Sequence, residues 1–289
     1  MVSAGMDGKV VMITGASSGI GEAATLELAK MGASVVMVSR SESRGRAALE
    51  RIKKSGNESV TLKLADLSSI ESVRSMAESF QAEHTRLDVL VNNAGLFNLR
   101  RRVTPDGYES TFEVNYLSQF LLTNLLLPQL EAAAPSRVVN TASDAHYGGR
   151  VDFDNLQGER GFSGWAAYSN SKMEVVLFTK ELARRVKGKG VTANCLHPGV
   201  VATNIFKRGA GPLRPLLKVA RLFLLSPKSG ADTLVYLASS PEMAGTTGEY
   251  FYKRRVRRSA EDTYDEELAS RLWTKSEELV KQAPVQALR

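Results

Sequence analysis

The chain has 289 residues, of which 43% are hydrophobic and 24% charged, a composition typical of a globular protein with a large buried core. Its single cysteine, Cys195, excludes an intrachain disulfide, so we expect a reducing, cytoplasmic location. The formal net charge is +7, but the basic clusters at 100–102, 184–189 and 253–258 are scattered and lack a zinc-ligand spacing or an RNA-binding motif. They indicate solvated surface, and we expect no nucleic-acid partner.

The start of the chain and its most apolar stretch bear on secretion and membrane insertion. Residues Met1–Asp7 lack the basic start and long apolar run of a signal peptide, so we expect no secretion. A membrane-spanning helix needs ~18 consecutive apolar residues, and the stretch that comes closest, Tyr116–Leu127, is interrupted by polar side chains. That stretch predicts a buried helix.

Short β-branched, apolar runs alternate with segments of helical periodicity from Lys9 to about Tyr252. The predicted strands are Lys9–Thr14, Ser34–Ser39, Ser59–Leu64, Leu87–Val91, Val138–Ala142 and Val191–Leu196. The predicted helices are Ile20–Met31, Arg44–Lys54, Ile70–Glu83, one from about Gly107, Gly164–Val186 and Lys228–Ser239. A repeat of about 25 to 30 residues is typical of βαβ units, and strands without polar alternation have helices on both faces. The predicted fold is α/β, a doubly wound parallel sheet (Rossmann fold) in three αβα layers.

No linker, repeat or low-complexity tract divides the chain, so we expect a single domain over 1–289 with its core at about 7–252. A C-terminal amphipathic helix is predicted at 260–283, exposed and packed on the edge of the core. The basic, strongly apolar segment Pro212–Leu225 lies within a predicted substrate lid at 204–228. It could equally brush an anionic membrane, or form a core helix whose long cationic side chains reach solvent.

A glycine-rich loop, Thr14-Gly-Ala-Ser-Ser-Gly-Ile-Gly21, joins the first strand to the first helix. Its glycines are not spaced as G-x-G-x-x-G, but they still allow the backbone to turn sharply and approach a pyrophosphate at the helix N-terminus. The alternative is a simple tight turn. The residues predicted to hold a dinucleotide here are Gly15, Ser17, Ser18, Gly19, Ile20 and Gly21.

The second strand ends in Ser39-Arg40, which bears on the choice of dinucleotide. A carboxylate at this position bonds the ribose of NAD, whereas an arginine accommodates the 2′-phosphate of NADP. Charge-assisted bonds from Arg40 are worth roughly 1.5 to 3 kcal/mol each, so the sequence predicts NADP(H). The alternative is that Arg40 is only a surface residue ahead of a helix.

Short motifs follow the glycine loop in a fixed order along the predicted βαβ frame. They are Asp66-Leu67, Asn92-Asn-Ala-Gly95, Asn115, Ser143, Tyr168-x-x-x-Lys172 and Pro198-Gly199. Together with the loop they resemble the short-chain dehydrogenase/reductase family over nearly the whole chain.

Within that family the sequence most resembles the retinol dehydrogenase and WW-domain oxidoreductase branch. The likeness is carried by Thr104-x-Asp-Gly-Tyr-Glu109, Val114-Asn-Tyr-Leu117, Phe120-Leu-Leu-Thr123, His197-Pro-Gly-Val-Val201 and Arg271-Leu-Trp273. Two features depart from the branch. Its members often carry an amino-terminal membrane anchor that this sequence does not show, and their usual Ser-Ser pair appears as Ala142-Ser143.

The resemblance implies four catalytic residues. Tyr168 transfers the proton that accompanies hydride transfer, and Lys172 lies four residues on, on the same helical face. An ammonium about 6 Å away at a dielectric of 20 supplies roughly 2.8 kcal/mol, less than the ~4 kcal/mol that makes a phenol basic near neutrality. The oxidised nicotinamide would then provide the rest. Ser143, otherwise a turn former at a strand end, would hold the substrate oxygen, and Asn115 would hold a water that links Lys172 to solvent.

The same resemblance assigns further cofactor contacts. Lys172 would bond the nicotinamide ribose and Tyr168 would face the ring. The other contacts are Asp66 and Leu67 beside the adenine, Asn92, Ala94 and Gly95 against the cofactor, and Pro198, Gly199, Val201 and Thr203 at the carboxamide.

The predicted function is an NADP(H)-dependent oxidoreductase acting on the carbonyl or alcohol carbon of an apolar substrate such as a retinoid, steroid or lipid. The alternative is a non-catalytic dinucleotide sensor or scaffold, which would be free to lose the four catalytic residues. No metal is expected, because His84, His146 and His197 lack metal-site spacing, and His146 favours a structural role over substrate contact. The resemblance implies a homo-oligomer paired through the helices around Asn115 and Tyr168.

Overall fold

The computed structural model describes residues 5–54, 56, 58–200 and 225–282, and in them one eight-stranded sheet runs through the molecule in the order β3-β2-β1-β4-β5-β6-β7-β8. The strands are β1 Val10–Thr14, β2 Ser34–Ser39, β3 Val60–Leu64, β4 Val89–Asn92, β5 Ser136–Thr141, β6 Val191–His197, β7 Tyr250–Tyr252 and β8 Arg255–Val256. Only β8 runs antiparallel to its neighbour. The strand order reverses between β1 and β4, which opens a crevice at the carboxyl edge of the sheet.

The helices that connect these strands begin and end close to the predicted positions. They are α1 Gly19–Lys30, α2 Glu42–Lys53, α3 Ile70–Glu83, α4 Ser110–Phe112, α5 Ser118–Leu125, α6 Leu127–Ala132, α7 Gly164–Arg185, α8 Pro227–Ser239 and α9 Glu266–Gln282. A π-helical turn, Glu113–Leu117, joins α4 to α5, and short 3-10 helices lie at Asp144–Gly148, Pro241–Met243 and Glu261–Tyr264. The last of these occupies the start of the C-terminal helix predicted at 260–283, so α9 begins only at Glu266.

Two apolar clusters sandwich the sheet and give the three predicted layers. Side chains of α3, α5, α7 and α9 pack on one face, among them Phe80, Phe120 and Phe178. Side chains of α1, α2 and α8, such as Leu28 and Ile52, pack on the other. The predicted doubly wound α/β fold is therefore confirmed, and we propose that the described residues form a single domain around this one sheet.

The β7–β8 hairpin was not predicted. It turns at Lys253 and Arg254, whose φ angles of 50° and 60° lie in the left-handed region. Such turns usually carry Asn or Gly, so two cationic residues gave no turn signal in the sequence.

Helix α9 is buried along one face, more deeply than the predicted exposed helix at the edge of the core. The Trp273 ring lies 4.9 Å from that of Phe120 on α5 and 5.8 Å from that of Phe178 on α7. The Ser276 hydroxyl is 2.6 Å from the Tyr116 hydroxyl. Helix α9 thus packs against α5 and α7, the helices through which the resemblance implies pairing between subunits, and that pairing stays a prediction.

The predicted lid at 204–228 falls almost wholly outside the described residues, and so do Val201 and Thr203. The described part of it begins at Leu225, two residues before α8. Its proposed contacts with substrate or with a membrane surface therefore stay predictions.

Candidate active site

A cleft of about 640 Å³ lies at the carboxyl edge of the sheet, where β1, β2, β4, β5 and β6 end. It runs from the glycine loop to Tyr168 on α7. The predicted site residues that line it are Gly15, Ser17, Ser18, Gly19, Ile20, Ser39, Arg40, Asp66, Leu67, Ala94, Gly95, Ser143, Tyr168, Lys172, Pro198 and Gly199. Parallel strands bring these residues together because their carboxyl ends share one edge.

The glycine loop lies where a Cβ atom would collide with the backbone. Gly15 has a φ of 68°, and a Cβ there would be 2.9 Å from the Ala94 Cα. A Cβ on Gly21 would be 2.5 Å from the Gly15 oxygen, so this glycine allows close packing behind the loop and does not line the cleft. Ser18 makes no side-chain cap bond to α1, which leaves its hydroxyl and the first amides of the helix available to an anion.

The end of the cleft next to the last residues of β2 is basic. Arg40 follows β2 and lies 3.9 Å from the Asp66 carboxylate, with both side chains roughly half exposed. Ser39 is buried and donates to the Ser41 carbonyl at 3.1 Å. Arg44, in the first turn of α2, lines the same end of the cleft and was missed by the sequence analysis. Its signal was its spacing of four residues from Arg40 at a predicted helix start.

The prediction that Asn92 lies against the cofactor is corrected by the structure. Its side chain is fully buried behind the cleft, where the amide donates to Thr123 Oγ1 and Asn140 Oδ1, each at 2.9 Å. Asn93 lines the cleft instead and donates to the Thr14 carbonyl at 3.0 Å. Successive side chains on an extended strand point to opposite faces, so a difference of one residue reverses the direction.

Asn115 also lies behind the cleft, where it holds the loop after β4. Its Oδ1 accepts the Leu96 backbone N–H at 2.7 Å, and its Nδ2 donates to the Leu96 carbonyl and to Ser171 Oγ, each at 3.0 Å. Both amide hydrogens are therefore committed. A water bound to this side chain would therefore have to donate to Oδ1, and the relay water that the resemblance assigns to Asn115 stays a prediction.

Tyr168 and Lys172 lie on one face of α7, as their spacing predicts, with the Lys172 Nζ 5.7 Å from the centre of the Tyr168 ring. The ammonium group is buried and donates to the Thr141 carbonyl at the end of β5, at 2.8 Å. Ser143, two residues beyond that strand, lines the cleft beside Tyr168, and a hydrogen bond from its side chain acts to lower the pKa of the phenol. The three polar groups thus converge in the cleft.

Burial decides the titration of this pair. It raises the pKa of Tyr168, against the opposing hydrogen bond from Ser143, and it lowers the pKa of Lys172 to about 8. The attraction of the ammonium alone would lower the pKa of Tyr168 and raise that of Lys172, but desolvation acts on both groups in the opposite sense. Before a dinucleotide binds, the phenol is therefore less acidic than usual.

The cleft beside Tyr168 has an aromatic wall that the sequence analysis did not find. The Phe97 ring lies 5.8 Å from that of Tyr168, edge to face, and the Trp165 ring lies 6.2 Å from that of Tyr168. Trp165 is 58% exposed although it is a large apolar residue. A Cβ on Gly164 would be 2.2 Å from the Asn98 oxygen, so glycine there allows α7 to start against this loop and hold Trp165 at the mouth of the cleft.

The described residues contain no cluster of three histidine, cysteine or acidic side chains that could hold a metal ion. The chemistry of this cleft lies in a phenol, an ammonium, a hydroxyl and an anion-binding loop. Such a set fits a bound dinucleotide with acid/base assistance from the protein.

Comparison with known proteins agrees with this site. The family model described as short chain dehydrogenase matches residues 9–210. The chain belongs to the short-chain dehydrogenase family. It is 41% identical to human (Homo sapiens) retinol dehydrogenase 14 over 95% of this chain and 87% of that protein. It is 42% identical to human dehydrogenase/reductase SDR family member 13 over 96% of this chain and 74% of that protein.

Solved structures show the same relationship for this short-chain dehydrogenase. An uncharacterised protein from Mycobacterium paratuberculosis matches with a TM-score of 0.79 and 32% identity, covering 98% of each chain. The Pseudomonas aeruginosa RhlG/NADP active-site complex matches with a TM-score of 0.70 and 26% identity, covering 87% of this chain and 96% of that one. The predicted family and its retinol dehydrogenase-like branch are confirmed.

The expectation of a cytoplasmic location is wrong. It rested on one cysteine and on the first residues, neither of which reports on attachment to a membrane. Retinol dehydrogenases 11, 13 and 14 of Homo sapiens, 39% to 41% identical over 94% to 95% of this chain, are membrane-associated enzymes. Among the helices of the described ranges, none combines the length and the apolar character needed to cross a bilayer.

Proposed function

We propose that this short-chain dehydrogenase transfers a hydride between NADP(H) and the carbonyl or alcohol carbon of an apolar substrate, with Tyr168 as general acid/base. The observation that carries the proposal is the convergence of Tyr168, Lys172 and Ser143 in one cleft with an anion-binding glycine loop. The apolar substrate class is supported by the aromatic wall and by the retinol dehydrogenase names of its relatives.

The residues of the cleft fit a dinucleotide phosphate. The glycine loop leaves no room for a Cβ next to Ala94, and Gly19 and Ile20 at the start of α1 line the cleft. Ser39 puts no carboxylate at the end of β2, while Arg40 and Arg44 supply two guanidinium groups for a 2′-phosphate. The Arg40 guanidinium also approaches the Asp66 carboxylate, which competes with a phosphate for it. Among the described ion pairs, the Arg44 guanidinium has no such competitor. The relative solved with NADP supports the same choice.

In carbonyl reduction, the cofactor and the protein would supply different parts of the chemistry. The bound nicotinamide supplies the hydride, and the protein handles the charge that appears on the substrate oxygen. Ser143 donates a hydrogen bond to that oxygen, and the Tyr168 hydroxyl donates its proton. A raised pKa of Tyr168 keeps the phenol protonated near neutrality, which suits a proton donor in carbonyl reduction.

Alcohol oxidation makes the opposite demand, because Tyr168 must then accept a proton as tyrosinate. Lys172, whose pKa is about 8, is still mostly charged at neutral pH, and its ammonium, 5.7 Å from the centre of the Tyr168 ring, stabilises that anion. Above about pH 8 this support fades as the ammonium loses its proton. We therefore propose that Lys172 sets an upper pH limit on turnover.

Tyr168→Phe tests the proposal with NADPH oxidation against a panel of apolar aldehydes and ketones. Removing the positioned acid should lower kcat by a factor of about 10² to 10⁴, while NADPH binding is kept. Tyr147→Phe, which also removes one phenolic hydroxyl but from a half-exposed ring, is the matched control and should leave kcat nearly unchanged. Residual turnover by Tyr168→Phe comparable to the wild type would contradict the assignment.

A non-catalytic dinucleotide sensor on the same fold is the second candidate. Such a protein would bind NADPH with the glycine loop and the two arginines, but it has no need of a buried ammonium beside a phenol. Turnover with any member of the carbonyl panel decides between the two functions. Binding without turnover across the panel would favour the sensor.

A further inference from the structure

The peptide group that follows Ser143 is held from both sides by histidines. Its carbonyl, that of Ser143, lies 2.6 Å from His146 Nδ1 and also accepts the His146 backbone N–H at 3.0 Å. Its N–H, that of Asp144, donates to His197 Nδ1 at 3.3 Å. His146 is completely buried and His197 is nearly so. Neither histidine contacts Tyr168 or Lys172 in the described contacts, so the proposed acid/base chemistry does not account for them.

The partners of each ring fix which nitrogen carries the proton. His146 Nε2 accepts the Ala260 backbone N–H at 3.1 Å, and a backbone N–H can only donate. The proton of His146 is therefore on Nδ1, from which it is donated to the Ser143 carbonyl. His197 Nδ1 accepts the Asp144 N–H, so its proton is on Nε2, 3.6 Å from the Asp144 carboxylate. The two neutral rings thus use opposite tautomers.

The segment around β8 is tied to the same turn. Tyr250 donates to Asp144 Oδ1 at 2.7 Å, and Arg257 donates to Asp144 Oδ2 at 3.0 Å. The Tyr147 hydroxyl donates to the Arg258 carbonyl at 2.5 Å. His146 therefore has a different role from its neighbours. Its Nε2 shares in this anchoring, but its Nδ1 acts on the residue that carries the catalytic hydroxyl.

We propose that His146 is a positioning residue that, together with His197, fixes the peptide after Ser143 and thereby aims the Ser143 hydroxyl at Tyr168 and the substrate oxygen. The inference rests on the proposed function. The Cβ of Ser143 follows its backbone, so rotation of the gripped peptide would swing the hydroxyl. A misplacement of about 1 Å in a reacting group costs on the order of a hundredfold in rate.

Two substitutions separate the two ends of the ring. In His146→Asn, the side-chain amide nitrogen stands at the Nδ1 position, which keeps the bond to Ser143 and loses the one to Ala260. In His146→Gln, the longer side chain puts its amide oxygen near the Nε2 position, which keeps the bond to Ala260 and loses the one to Ser143. Each variant loses one hydrogen bond, so their melting temperatures should fall by similar amounts.

The proposal predicts unequal effects on turnover. His146→Gln should lower kcat for carbonyl reduction about ten- to a hundredfold. His146→Asn should keep kcat within about threefold of the wild-type value. NADPH affinity should be the same in both. Tyr147→Phe loosens the β8 anchor without touching Ser143, so it is the matched control and should keep kcat. Equal kcat values for His146→Gln and His146→Asn would show a merely structural role and overturn the proposal.

A measurement on the wild type keeps the test independent of how the variants fold. The chain has three histidines, so the ¹⁵N signals of their ring nitrogens can be assigned by single substitutions. The expected spectrum has the proton on Nδ1 of His146 and on Nε2 of His197. The same tautomer at both sites would overturn the inference. If the wild type reduces no carbonyl in the panel, the proposed function fails and the positioning role fails with it, whichever tautomers the spectrum shows.

Discussion

Glu113→Gln should stabilise the protein in mildly alkaline solution, relative to the wild type, more than it does in acid. Glu113 is fully buried in the π-helical turn between α4 and α5, next to Val114 of the cleft wall. Burial raises its pKa from 4.5 to about 8; the Asp106 and Asp66 carboxylates act in the same direction and the Thr104 hydroxyl in the opposite one. At neutral pH the folded protein therefore holds a proton that the unfolded chain has already lost.

The magnitude follows from the linkage between protonation and folding. Between pH 4.5 and about 8, unfolding releases the proton of Glu113, so the free energy of unfolding falls as pH rises through this window. Each pKa unit corresponds to ~1.4 kcal/mol, which makes the full loss on the order of 3 to 5 kcal/mol. Glutamine does not titrate, and the variant therefore lacks this loss.

Urea unfolding at several pH values between about 5 and 8.5 measures the effect. The unfolding free energy of Glu113→Gln minus that of the wild type should increase by about 3 to 5 kcal/mol as pH rises across the series. Any packing cost of the amide is constant and cancels from this change. Glu50→Gln, on the exposed side of α2, is the matched control and should give a flat difference. A flat difference for Glu113→Gln as well would refute the reasoning.

Three further predictions concern the cleft and α9. Arg40→Asp combined with Arg44→Asp should shift the ratio of kcat/KM for NADPH over NADH toward NADH by at least about a hundredfold, whereas Arg46→Asp, on the outer side of α2, should leave the ratio unchanged. Trp165→Ala should raise KM for apolar carbonyls about three- to tenfold with little change in kcat, measured by steady-state kinetics, because it removes apolar contact area. Trp273→Ala should lower the free energy of unfolding by about 3 to 5 kcal/mol in urea titrations, and Trp165→Ala, at an exposed position, should lower it far less.

The candidate catalytic pair and the glycine loop of the candidate site could be predicted because both are short-range patterns. Tyr168 and Lys172 are four residues apart on one helix, and the glycine loop joins a strand to the next helix. Asn92 shows where this reasoning stops. Its motif was recognised, but which way its side chain points depends on the strand face, and the structure buries it between neighbouring elements.

The sequence by itself determined the α/β fold and predicted the candidate site at the carboxyl edge and the role of Tyr168, because periodicity and spacing act within about one structural element at a time. Only the tertiary structure decided the rest. The hydrogen bond between His146 and Ala260 joins residues 114 positions apart. The contact between Trp273 of α9 and Phe120 of α5 joins residues still farther apart in the chain. Desolvation, which raises the pKa of Tyr168 and lowers that of Lys172, is a property of everything packed around a group, and no local pattern in the chain encodes it.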